Sequence, residues 1–259
     1  MQTTFAAYRA ITSHLDRSLE LKSEERPVAL ETAYYLDNIG KVKSIDDFLK
    51  NTRLFKFAMN AFGLSDMAHA KAFVRKILTE GVADKKSFAN RLDDDRFLAF
   101  ARTFDFAAKG EATTDATAAR QGVVDRYVRQ SLEVAAGEDN EGVRLALYFQ
   151  REAPNVSSVY GLLADAALWQ VVKTTFGFPD GMTSQDIDKQ GAAVAQRLDI
   201  ADLKDPVKLD RLIARFTAAY DASTGAKQDP VLTLFNRTSS ATVDINLVMA
   251  MKTLKHGGR

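Results

Sequence analysis

Apolar residues recur at spacings of three and four along most of the chain. Phe5, Tyr8, Ile11, Leu15 and Leu19 form one stripe. Met67, Ala70, Phe73, Val74, Ile77 and Leu78 form a second, with Lys71, Arg75 and Lys76 on its other side, and Phe97, Phe100, Ala101 and Phe104 a third. This is the period of amphipathic helices. No segment alternates strictly between apolar and polar, and no Asn-Gly or Asp-Gly pair joins two β-branched runs as a hairpin requires. Asp180-Gly181 lies instead between a helix end and a polar stretch. The pattern predicts an all-α protein.

Helix punctuation agrees with the stripes. Ser44 before Ile45-Asp46-Asp47 reads as an N-cap with carboxylates in the first turn. Gly63 before Leu64 reads as a left-handed C′ glycine with its apolar follower, and Gly177-Phe178-Pro179 as the same stop with a proline added. Asp205-Pro206 and Asp229-Pro230 have the form of an N-cap with proline at N1. Gly81, Gly110 and Gly137 are expected to end further helices.

The pattern also repeats. Residues 34–64 shifted by 114 fall on 148–178 without gaps, with seven identities in 31 positions: Tyr34/Tyr148, Val42/Val156, Ser44/Ser158, Leu49/Leu163, Leu54/Leu168, Phe62/Phe176 and Gly63/Gly177. Chance would give roughly two, given ordinary residue usage. A shift of 113 brings Ile11 and Leu15 onto Val124 and Val128, and Ser18-Leu19-Glu20 onto Ser131-Leu132-Glu133. The expectation is two tandem helical repeats of about 105–110 residues, over 1–112 and 113–222, then a linker and a C-terminal helix over 223–259. A short-period solenoid fits less well, because its periods run to about 50 residues.

Composition changes this picture little. Lys and Arg number 35 against 34 Asp and Glu, which disfavours a non-specific nucleic-acid or polybasic membrane binder. Zero cysteines exclude disulfides, thiol nucleophiles and Cys-containing zinc sites. Residues 34–106 hold 13 basic and 10 acidic side chains and residues 148–220 hold 8 and 9, so charge drifted where packing did not. No window approaches the ~20 apolar residues of a membrane helix. Residues 1–30 lack an apolar signal core. A cytoplasmic chain without membrane insertion is expected, with signal-less export by a flagellar type III route as the alternative.

The chemical candidates are sparse. Asp93-Asp94-Asp95 lacks the spaced oxygens, Gly and closing Glu of a calcium loop, and reads as an acidic cap for a helix beginning near Asp95. Gly40-Lys41-Val42-Lys43-Ser44 lacks the upstream glycine and strand of a phosphate loop and reads as an inter-helix turn. Lys71, Arg75, Lys76, Lys85, Lys86, Arg91 and Arg96 form the one locally basic stretch, diluted by Asp66, Glu80, Asp84 and Asp93 to Asp95. His69 has no second ligand at helical spacing, and Trp169 has core neighbours. No catalytic motif occurs, and neither an enzyme activity, a cofactor nor a metal is expected. In the tail, residues 221–228 read as a linker. Val243, Leu247, Met251 and Leu254 would share one helix face, widened by Ile245, Val248 and Met249. That face suits either the protein's own repeats or a partner's groove.

Residues 38–97, with 141–154 (EGVRLALYFQREAP) and 186–200 (DIDKQGAAVAQRLDI), resemble an uncharacterised bacterial domain-of-unknown-function family, number 1217. Its genes often lie in flagellar gene regions, so the resemblance implies a part in flagellum assembly or motility, with a flagellar component as protein partner. It implies no catalytic residues. An axial rod or hook subunit fits poorly, because its N-terminal Asn-rich signature is missing. The sequence therefore favours a non-enzymatic interaction or accessory protein over an enzyme or small-ligand protein with a pocket between the repeats. A deep cleft setting Asp93 to Asp95 against Arg or Lys would favour the second.

Overall fold

The computed structural model describes residues 2–228, with side chains through Thr224. Val243, Leu247, Met251, Leu254 and the Asp229-Pro230 cap lie outside the described residues. Those described are helical throughout, without a strand. The chain opens with α1 (Thr4–Thr12), α2 (Leu15–Glu24) and α3 (Arg26–Ile39). Next come α4 (Ile45–Lys50), α5 (Thr52–Ala61), α6 (Lys71–Glu80), α7 (Asp95–Thr103) and α8 (Phe106–Lys109). Then follow α9 (Gln121–Asp139), α10 (Glu141–Glu152), α11 (Val159–Ala164), α12 (Ala166–Phe176), α13 (Ile187–Ala195) and α14 (Pro206–Gln228). Short 3₁₀ turns join several of these.

Caps set the boundaries as the sequence predicts. Ser44 Oγ accepts from Asp47 N at 3.1 Å, and Ser158, 114 residues on, accepts from Gly161 N at 3.1 Å. Gly63 and Gly177 both adopt positive φ, 68° and 63°. After each, the next amide reaches back to close a Schellman turn: Leu64 N to Met59 O at 2.8 Å, and Phe178 N to Lys173 O at 2.9 Å. Asp205 accepts from Val207 N and Lys208 N, with Pro206 opening α14.

Three boundaries differ from expectation. The first stripe is two helices: Thr12 and Ser13 hydroxyls donate back to the Tyr8 and Arg9 carbonyls at 3.1 and 2.7 Å. They compete there with the amides that would continue the helix. Gly137 lies inside α9 instead of ending it, since one helical glycine costs only about 1 kcal/mol. Residues 221–228, read as a linker, belong to α14, which runs to Gln228. Ala222 and Ala226 favour helix there, and one glycine does not break it.

Contacts gather Met1–Asp221 into one compact unit containing two apolar cores. The first takes side chains from α3 to α8, then continues past the expected 112/113 boundary to Ala119, Val123, Val124 and Val128. The second takes α10 to α14 and also Tyr8 of α1, with Ala7 and Ile11 packed against it. The opening helix of each half thus completes the core of the other. Burying each such side chain contributes about 1.5–3 kcal/mol. A polar clasp holds α1 in place. Thr4 N donates to Asp221 Oδ2 at 3.0 Å, the Thr4 hydroxyl donates to the same carboxylate, and Asn140 Nδ2 donates to Thr4 Oγ1 at 2.9 Å.

Candidate functional site

Arg96 stands where three helix ends meet, between the two cores. Its Nη1 donates to the Gly63 carbonyl just past α5 at 2.8 Å. Its Nε and Nη2 donate to Asp94 at 2.9 and 2.7 Å, and Nε lies 3.4 Å from Asp165 Oδ2. The carbonyl end of a helix attracts a cation and the amide end a carboxylate. Asp94 is the N-cap of α7, accepting from Arg96 N at 3.0 Å. Asp165 is the N-cap of α12, accepting from Ala167 N and Leu168 N at 2.8 and 3.1 Å.

Tyr148 of α10 closes the group, donating its Oη proton to Asp165 Oδ2 at 2.5 Å. Burial, then the Asp165 charge, pushes its hydroxyl well above the usual tyrosine range, with Arg96 opposing. Burial alone would lower Arg96, but hydrogen bonding to Asp94 and the charges of Asp165 and Asp94 outweigh it and hold the guanidinium above its ordinary value. Two cavities flank the group. One, of about 230 Å³, is lined by Asp94, Asp95, Arg102, Arg126 and Glu152 over Phe62 and Leu168. The other, of about 420 Å³, is lined by Asp66, Gln130, Glu141, Arg144 and Tyr148. Arg96 and Asp165 line both, so their ion pair forms a wall between them.

A second charged network ties α9 to α10. Glu133, only 1% exposed, accepts from Arg129 Nε at 2.9 Å and from Arg151 Nε and Nη2 at 2.8 Å. Arg151 also donates to Gln130 Oε1 at 2.9 Å and pairs with Glu152. Breaking such a buried pair costs about 3–5 kcal/mol.

The residues singled out from the sequence fall as follows. Asp93 is exposed, Asp94 caps α7, and Asp95 accepts from Ser157 N and Oγ, each at 3.2 Å. The Gly40–Ser44 segment is a turn between α3 and α4. In the basic stretch, Lys71 Nζ donates to Leu49 O at 2.7 Å, and Arg75 pairs with Asp46 at 2.5 Å. His69 is exposed. Trp169 is buried against Phe178, its indole N–H without an acceptor among the described residues. Among the described residues no three or more His, Asp or Glu converge to hold a metal, and no helix is long and apolar enough to cross a membrane.

Sequence reasoning missed Asp165, Arg126 and the convergence on Arg96. One signal was present: Asp165 stands 114 residues after Asn51, which caps α5 through Leu54 N at 3.2 Å.

The model of a family described as "Protein of unknown function (DUF1217)" matches residues 61–209, a span holding Arg96, Tyr148, Asp165 and the whole lining of the smaller cavity. The crystal structure of a protein from Agrobacterium tumefaciens, solved by a structural genomics consortium, is 49% identical with a TM-score of 0.78. The match covers 85% of this chain and 94% of that one. No curated protein matches the chain.

Proposed function

The chain belongs to the family described as Protein of unknown function (DUF1217), and from that premise we propose that it is a non-enzymatic helical accessory protein, built from two tandem units, that works by holding a protein partner. The observation that carries this reading is the mutual pairing of buried ionised groups. Arg96 is held by Asp94, Asp165 and the Gly63 carbonyl, and Glu133 by Arg129 and Arg151. Each of these charges is met by a counter-charge or a helix terminus of the same chain, the arrangement of a structural ion-pair network that fixes a shape. The paired caps at Ser44/Ser158 and the paired stops at Gly63/Gly177 support the tandem reading.

The flagellar setting implied by the family resemblance makes a flagellar component the proposed partner. The apolar face of Val243, Leu247, Met251 and Leu254 is the proposed contact, since Met-rich faces adapt to grooves. Deleting the gene and measuring swimming tests the first point; unaltered flagella and motility would refute it. Complementation with Leu247→Asp/Met251→Asp tests the second. Swimming equal to that restored by the unaltered gene would remove the tail face as the contact.

A further inference from the structure

Four carboxylates and three guanidiniums line the smaller cavity. Asp94 and Asp165 meet Arg96, Glu152 meets Arg151, and Asp95 accepts from the Ser157 amide and hydroxyl. Arg102 and Arg126 line the same cavity, and among the described residues neither joins an ion pair. Of the three lining charges outside any ion pair, Asp95 is held by hydrogen bonds, whereas the two guanidiniums have no hydrogen-bond acceptor among the described residues.

The two guanidiniums are also placed for recognition. Arg126 lies over the Phe62 ring, 4.9 Å from its centroid. Stacking leaves the guanidinium's edge N–H donors free for an acceptor. Arg102 follows Asp95, Leu98 and Ala99 at helical spacing, so one face of α7 runs from the Ser157 contact across apolar surface to a cation. Phe62, Leu98 and Leu168 supply an apolar lining beside the charges. At about 230 Å³ the space lies below the ~300 Å³ lower end for drug-sized ligands.

We propose that this cavity binds a small organic anion, its carboxylate or phosphoryl group held by Arg102 and Arg126 and its apolar body laid against Phe62, Leu98 and Leu168. Guanidiniums favour such groups through charge-assisted hydrogen bonds, and this site goes beyond the partner-holding function.

The test is calorimetric titration of the full chain with benzoate, phenyl phosphate, inorganic phosphate and the neutral benzamide. Saturable one-to-one binding of benzoate or phenyl phosphate is expected, and which of them binds tighter identifies the head group. Benzamide and inorganic phosphate should each bind at least about tenfold more weakly. Arg102→Gln and Arg126→Gln should each weaken the anion about tenfold or more, with cooperative melting retained: unchanged for exposed Arg102, and slightly lower for Arg126, which stacks on Phe62. Lys85→Gln, an exposed site outside the cavity, should leave affinity alone. No saturable binding of either aromatic anion would overturn the proposal. So would benzamide or inorganic phosphate binding equally well, an effect of Lys85→Gln equal to those of the arginine variants, or an affinity unmoved by either arginine change.

Discussion

Tyr148 donates its hydroxyl proton to the Asp165 carboxylate at 2.5 Å, and 114 residues earlier Tyr34 donates to the Asn51 side chain at 3.2 Å. Each acceptor is the N-cap of the following helix. The two pairs differ in charge and burial, which gives a direct comparison. Tyr148→Phe removes a buried hydrogen bond to a carboxylate and should cost about 1.5–3 kcal/mol, whereas Tyr34→Phe removes a half-exposed neutral one and should cost about 1 kcal/mol or less. Urea denaturation of both variants measures the difference; equal losses would contradict it.

Alkaline pH should unfold the protein through its buried tyrosines. Burial, then the Asp210 charge, pushes the Tyr8 hydroxyl up to about 12, and burial raises Tyr35 and Tyr148 further. The unfolded chain ionises these groups near pH ~10 while the folded chain keeps them protonated. Their contribution is therefore full below about pH 10 and falls by up to ~1.4 kcal/mol per pH unit for each group above it, until its folded pKa is passed. Urea midpoints should be level up to about pH 9.5 and drop steeply beyond. A midpoint that stays level through pH ~11 would count against this account.

The exchanged opening helices predict a single unfolding event. Leu54 lies in the first core and Trp169, the one tryptophan, in the second. Leu54→Ala should cost about 2–5 kcal/mol and move the Trp169 fluorescence midpoint and the far-ultraviolet dichroism midpoint together. Tyr8→Ala should do the same from the other side. A fluorescence transition left in place while dichroism shifts would mean that the halves unfold independently.

Two helical glycines should respond oppositely to alanine. A Cβ on Gly142 would sit 2.5 Å from Tyr220 Cδ1 and 2.9 Å from Thr4 Cγ2, whereas on Gly122 its nearest neighbour is Thr117 O at 3.6 Å. Gly122→Ala should stabilise by about 0.5–1 kcal/mol through helix propensity. Gly142→Ala should destabilise by about 1–3 kcal/mol through overpacking at the α1 clasp. Thermal denaturation of the pair checks both signs.

What could be read from the sequence was local. Ser44, Gly63, Asp94 and Asp205 act within four residues of themselves, and each does what its neighbours predict. Periodicity also marks Tyr8 as a buried position, but it cannot name the surface that covers it, here the second core. The Arg96 site was hidden for the same reason. Its partners come from α5, α10 and α12, and of these only the Gly63 stop was visible along the chain.

The exchange of opening helices also orders events during synthesis. The first core lacks Val123, Val124 and Val128 until those residues have left the ribosome, so it cannot close when its own half is complete. The second core needs Tyr8, from α1, and Phe216, near the end of the compact unit. Thr4 then waits for Asp221. The nascent chain must keep α1 exposed, with Tyr8 and Ile11 uncovered, until Phe216 and Asp221 have been made. That interval, more than the finished protein, is where chaperone contact and misassembly between neighbouring chains would act.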